Sequence, residues 1–146
     1  MIIALLAAAA TVQQPADDRQ AVLATIDRFF RALEARSPDA ILTTVTPGGA
    51  ITAHVQRGGA VTVRTRPWSE WAAELPKAPE PLREKVIDPR VDVRGSMASV
   101  WSYYTFYRGE RFSHCGYDNF DMAKVDGQWR IVNLSYTVEP EGCPRR

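Results

Sequence analysis

Between Val91 and Val138 three apolar and aromatic segments are joined by two tight glycine-containing turns, Gly109-Glu110 and Asp126-Gly127. Side chains that alternate over such lengths and are punctuated by turn dipeptides read as an antiparallel meander. A curved sheet of this kind needs a cover on one face, and the residues before position 91 supply it.

The stripe Val22, Ile26, Phe29, Phe30 and Leu33 falls at helical spacing behind Asp17 and Asp18, which suit an N-cap. Ser37-Pro38-Asp39 starts a second, shorter helix with Ser37 as cap, and Pro47-Gly48-Gly49 ends it. Ala50–Arg57 and Ala60–Thr65 alternate around Gly58-Gly59 as a hairpin, with His54 on its wetter face. Pro67 opens a third helix whose stripe is Trp68, Trp71, Ala72 and Leu75, and Pro76, Pro79 and Pro81 stop it. Helices are therefore predicted near residues 18–36, 38–45 and 67–75. Leu82–Arg94 reads as extended, with Pro89 forcing a bulge or an edge position. At 146 residues the chain makes one domain, long enough to bury roughly two thirds of its unfolded surface.

Two-residue turns set an expected register. Around Gly109-Glu110, Tyr107 opposes Phe112, Thr105 opposes His114, Tyr103 opposes Gly116 and Trp101 opposes Asp118. That face continues through Phe120 and Met122 to Ser135, Ile131 and Trp129, and it is the one expected to meet the helices. The other face would carry Tyr104, Phe106, Cys115, Tyr117, Leu134 and Tyr136. It is too aromatic for a plain solvated surface, so a homodimer through it is an expectation.

The order of helix, short helix, hairpin, helix and long meander resembles the nuclear transport factor 2-like superfamily. Stretches similar to its small bacterial SnoaL-like and lumazine-binding-like members are Phe29-Phe30-Arg31-Ala32-Leu33, Val91-Asp92-Val93 before Val100-Trp101, Phe112-Ser113-His114-Cys115-Gly116 and Gly127-Gln128-Trp129-Arg130-Ile131. The resemblance implies an α+β cone of strongly curved, mostly antiparallel sheet, with three helices on its concave face enclosing a pocket. It also implies a wide range of functions, from ketosteroid isomerase and scytalone dehydratase to limonene epoxide hydrolase, polyketide cyclases and transport factors.

Enzymes of that superfamily place lone carboxylates, histidines and tyrosines in an apolar pocket. Asp118 is the candidate base here, since desolvation on an apolar face raises a carboxyl pKa toward neutrality. Tyr103 and His114 are candidate donors to a developing oxyanion. Packing and ordinary hydrogen bonding are the alternative roles: Asp118 accepting from Ser135 or backbone amides, His114 bonded to Thr105, Tyr103 in the core. His114 and Asp118, four residues apart on one strand, lie roughly 13 Å apart and cannot form a direct dyad. The first helix carries no tyrosine where the ketosteroid isomerase pattern expects one; Phe29 stands on its inner stripe. The pocket walls are expected to be Phe29, Phe30, Trp101, Tyr103, Phe120 and Trp129.

Three functions stay open: an exported pocket domain binding a small, mostly apolar molecule; a cofactor-free isomerase, dehydratase or hydrolase using Asp118; and a dimeric association module. No cofactor is expected. Eighteen basic against seventeen acidic residues give a net charge of +1, with no block of like charge, which argues against nucleic-acid or anionic-membrane partners. Two histidines and no clustered carboxylates or thiols argue against a metal site.

Residues 1–10 are uncharged and apolar and end in a run of alanines, which suits a secretory leader cleaved after Ala8-x-Ala10, although the usual basic n-region is missing. Ten such residues are too few to anchor in a bilayer. Residues 1–14 are thus expected to be leader and linker, and residues 15–146 a periplasmic or secreted domain. In an oxidising compartment Cys115 and Cys143 would pair, because Cys115 opposes Val138 and the Pro140-Glu141-Gly142 turn brings Cys143 back beside it. In the cytosol they would be two free thiols.

Overall fold

A computed structural model describes residues 15–143, so the expected leader lies outside the described residues. Helix α1 (Pro15–Glu34) buries all five residues of its predicted stripe. Asp17 and Asp18 occupy its first turn rather than the cap, where they face the positive end of the helix dipole. Helix α2 (Pro38–Leu42) is capped as expected, the Ser37 side chain accepting from the Ala40 N–H. It ends earlier than predicted because Thr43 and Thr44 turn their hydroxyls back onto the carbonyls of Ala40 and Ile41, and Val45 already belongs to a strand.

The strands are β1 (Val45–Arg57), β2 (Ala60–Pro67), β3 (Leu82–Arg94), β4 (Met97–Arg108), β5 (Arg111–Val125) and β6 (Gln128–Val138), with helix α3 (Trp68–Ala72) and one 3-10 turn (Leu75–Lys77) between β2 and β3. They form one open sheet of six strands in the order β2-β1-β6-β5-β4-β3. All neighbours are antiparallel except β1 and β6, which run parallel. The result is the expected α+β cone, with the helices on the concave face.

The core lies between the helices and the concave face of the sheet. Phe29 packs edge-on against Trp68 (5.7 Å), Phe30 (5.4 Å) and Phe120 (6.4 Å), and Ile131, Val100 and Met122 are buried with them. Trp68 donates its indole N–H to the Val132 carbonyl at 2.9 Å. Gly49 fits under that contact only because it lacks a side chain: a Cβ there would sit 1.7 Å from the same carbonyl oxygen.

Bulges decide which side chains face inward. Pro89 falls in a break of register between Ile87 and Arg90, as expected, and Asp88 takes φ 51° there. A second bulge, at Ser113, was not foreseen. Tyr107 pairs with Phe112 as predicted, but beyond the bulge Phe106 opposes His114, Tyr104 opposes Gly116 and Ser102 opposes Asp118. A third, between Asp121 and Met122, shifts β6 in the same way, so Asp118 opposes Tyr136 and Phe120 opposes Leu134. Since side chains alternate with period two, each one-residue slip reverses a face.

Candidate functional site

The bulges correct the predicted walls. Trp101 and Tyr103 stand on the outer face, where Trp101 is 48% exposed and stacks on Tyr117 at 5.5 Å, and Tyr103 packs edge-on to Tyr117 at 5.4 Å. Neither reaches the concave side, so Tyr103 cannot serve as an oxyanion donor beside Asp118. Conversely Tyr104, Phe106, Leu134 and Tyr136, expected on the outside, line the cavity. Of the expected walls only Phe29 lines it; Phe30, Phe120 and Trp129 are buried deeper, in the core.

The cavity has a volume of about 440 Å³ and opens between Arg57, Arg108 and Pro140. Phe29 and Leu33 of α1 and Trp71 of α3 form its roof, Phe29 and Trp71 stacking at 5.9 Å. Apolar groups of the sheet, among them Phe106 and Leu134, continue the wall. Asp118 faces this space and is 1% exposed.

Glu84 faces it too, and sequence reasoning missed that residue. It is half-buried along its stem while its Oε1 is fully buried, and its carboxyl is hydrogen-bonded to that of Asp118. The signal was present: Leu82, Glu84 and Val86 alternate, so a strand that turns Leu82 inward must turn Glu84 inward as well. Burial raises both carboxyls, Asp118 to about 7 and Glu84 well above the usual carboxylate range, the Asp118 charge adding to the rise on Glu84. The pair therefore holds a shared proton near neutrality. Asp118 Oδ2 and Glu84 Oε1 are both fully buried and accept from no backbone or side-chain N–H, which leaves the proton shared within the pair as their donor.

The groups around the pair are largely committed. Tyr104, 1% exposed, donates its hydroxyl to the Thr137 carbonyl at 2.5 Å, and its own ionisation is pushed up by burial and by the neighbouring acids. Tyr136 is raised for the same reasons. Gly116 makes room for this arrangement, since a Cβ there would lie 2.1 Å from the Thr137 oxygen. His114 lines the cavity but does not meet Thr105; its ring stacks on Phe106 at 4.7 Å and its Nδ1 lies 3.0 Å from Ser113 Oγ. Burial, and then the nearby Arg108 charge, lower its pKa to about 4, so it is neutral at physiological pH. His54 lies outside the cavity on β1.

The rim is fixed by a disulfide between Cys115 and Cys143, with a Cα separation of 5.8 Å. Cys115 pairs with Glu139, one residue from the expected Val138. The bond ties down the segment that carries Val138 and Pro140 across the mouth. No group of three His, Cys, Asp or Glu side chains among the described residues could hold a metal ion, and no helix among them is long and apolar enough to cross a membrane.

The fold is shared widely. A protein of unknown function with a cystatin-like fold from Nostoc punctiforme superposes with a TM-score of 0.70 at 15% identity, covering 89% of this chain and 97% of its own. A protein of unknown function from Mycobacterium tuberculosis gives 0.68 at 18% identity, covering 87% and 82%. The beta subunit of a "putative aromatic-ring-hydroxylating dioxygenase" from Novosphingobium aromaticivorans gives 0.71 at 13% identity, covering 90% and 95%. Among curated protein sequences, none matches the chain. A family profile described as "Putative lumazine-binding" matches residues 17–137. With nearly all of the described residues under that profile, the chain belongs to that family, and its cone is the fold of nuclear transport factor 2-like structures.

Proposed function

We propose that the protein is an exported domain that binds a small, mostly apolar molecule in the cone. The observation that carries this reading is the cavity of about 440 Å³, walled by aromatic and aliphatic side chains and ending on the buried Asp118. A preformed apolar hollow with a few convergent polar groups is the usual form of a small-molecule site, and the lumazine-binding description of the family points the same way. Export is supported by the apolar, alanine-rich residues 1–10 and by the disulfide. Thermal-shift screening of a small-molecule library tests binding, with Val138→Trp at the mouth as the control. Hits that stabilise the wild type and not the variant support the reading; hits that ignore the variant, or no hits, overturn it. Fractionation of the expressing cells tests export.

A second reading is favoured by the Asp118–Glu84 pair. As a carboxylate, Asp118 would take a proton from the carbon next to a carbonyl while Glu84 gives one to the carbonyl oxygen. Asp118 then gives its proton to the γ-carbon while Glu84 takes back the enol O–H proton, which restores both acids and completes a 1,3-shift with no cofactor. Solvent deuterium appearing in a β,γ-unsaturated ketone, and lost in Asp118→Asn, would support it. Exchange unchanged in that variant would remove Asp118 as the base.

A further inference from the structure

We propose that the occupant of the cone is an apolar organic cation, an amine or amidine that sits against the Asp118–Glu84 pair as its counterion. The inference rests on the binding reading above and adds the ligand's chemistry.

Once one proton is shared between the two carboxyls, the pair has no further donor of its own. Buried acceptors short of donors are costly, and the cost falls when a ligand supplies the donors. A neutral ketone or ester offers acceptors only and would bring the pair no donor. The pair also carries a negative charge above neutrality, and among the described residues no lysine or arginine forms an ion pair with either carboxyl. A buried anion without a counterion is the condition that a cationic ligand relieves.

The surroundings fit such a guest. From α1 and α3 the cavity receives Phe29, Leu33 and Trp71, and from the sheet Phe106, Tyr104 and Tyr136, an aromatic lining of the kind that suits an organic cation. The other titratable neighbours do not neutralise the pair. His114 is held neutral, Tyr104 spends its hydroxyl on Thr137, and Tyr136 resists ionisation. Arg57 and Arg108 stand at the exposed rim, and Arg66 of β2 acts on Tyr136. Solvent screens charges at the rim, whereas inside the cavity the field of the pair is screened far less.

Three probes of one shape separate the outcomes: benzamidine, a cation with paired N–H donors; benzamide, neutral; and benzoate, an anion. Calorimetry on the full chain with its disulfide intact is expected to show benzamidine binding at least tenfold tighter than the other two. Its affinity should rise about tenfold from pH 6 to pH 8, because protons compete for a pair whose first ionisation lies at about 7. Asp118→Asn and Glu84→Gln, each checked for folding by its denaturation curve, should remove both the preference and its pH dependence. If either variant fails to fold, the pH dependence in the wild type decides. Benzoate or benzamide binding as tightly as benzamidine, blocked by Val138→Trp, overturns the cation and leaves the pocket reading standing. Binding by none of the three, while unrelated library hits bind, overturns the cation alone; failure of the library as well overturns both.

Discussion

Removing the acid pair should make the protein more stable at alkaline pH, against the ordinary rule that losing a buried polar contact weakens a fold. Asp118 ionises near 3.8 in an open chain and at about 7 in the folded one. The folded state therefore holds a proton that the unfolded state has released, and stability falls as pH rises through that window. Three pH units at about 1.4 kcal/mol each amount to roughly 4 kcal/mol lost between pH 4 and pH 7. Glu84, raised by the same burial and by the Asp118 charge, adds a second loss of the same sign that begins above its open-chain value of 4.5. Set against a typical domain stability of about 5–15 kcal/mol, such a loss is readily measured. The assay is urea unfolding, followed by tryptophan fluorescence at steps from pH 5 to pH 8, of the wild type and of Asp118→Asn/Glu84→Gln. Subtracting the two curves cancels groups common to both, such as His114, whose lowered pKa weakens the fold at acid pH instead. The wild type should lose about 2.7 kcal/mol per pH unit relative to the double variant around pH 5–6, about 1.4 from each carboxyl. A difference curve flat across the range, or rising with pH, would refute the shared-proton pair.

Replacing Cys115 by Ser should lower the unfolding free energy by about 3.6 kcal/mol on the chain-entropy account of a loop of this length; a denaturation midpoint that does not move in reductant or in the variant would contradict it. Gly116→Ala should cost more than about 2 kcal/mol, because the new Cβ meets the Thr137 backbone oxygen and not a flexible side chain. Asp18 accepts from Lys124 at 2.7 Å and from the Trp129 indole at 3.1 Å, contacts that hold its carboxyl below the usual range. Its contribution is present above the unfolded pKa and lost as pH falls through the folded one, so Asp18→Asn should destabilise at pH 7 and converge on the wild type at strongly acid pH. We also propose that the outer patch of Trp101 and Tyr117 pairs two copies of the chain; sedimentation showing only monomer at high concentration, with or without Trp101→Glu, would remove that proposal.

How much of this could be read beforehand follows from which signals are local. The α1 stripe, the Ser37 cap and the glycine turns are set by neighbours a few residues apart, and each appears where the sequence puts it; Asp126 and Gly127 take φ of 50° and 76°, as their two-residue turn requires. Cys115 and Cys143 were legible for a similar reason, since a short return turn brings them together. The inward face of the meander is different, because it depends on counting residues from a turn, and one uncounted residue reverses the count. Ser113 is such a residue. Nothing in Phe112-Ser113-His114 marks a bulge, as both neighbours suit a strand, and the bulge is selected by what it turns inward. An unbulged β5 that kept the Tyr107 and Phe112 pairing would set Asp118 beside Trp101, whose large ring is instead left half in solvent. The bulge sets Asp118 beside Ser102, small enough to leave the acid space to meet Glu84 across the sheet. Asp118 was thus expected to face the cone through a register that the bulges replaced, with the wrong companions. Its true companion was visible all along in the alternation of Leu82, Glu84 and Val86, an inward acid that makes sense only once a second acid is known to face it.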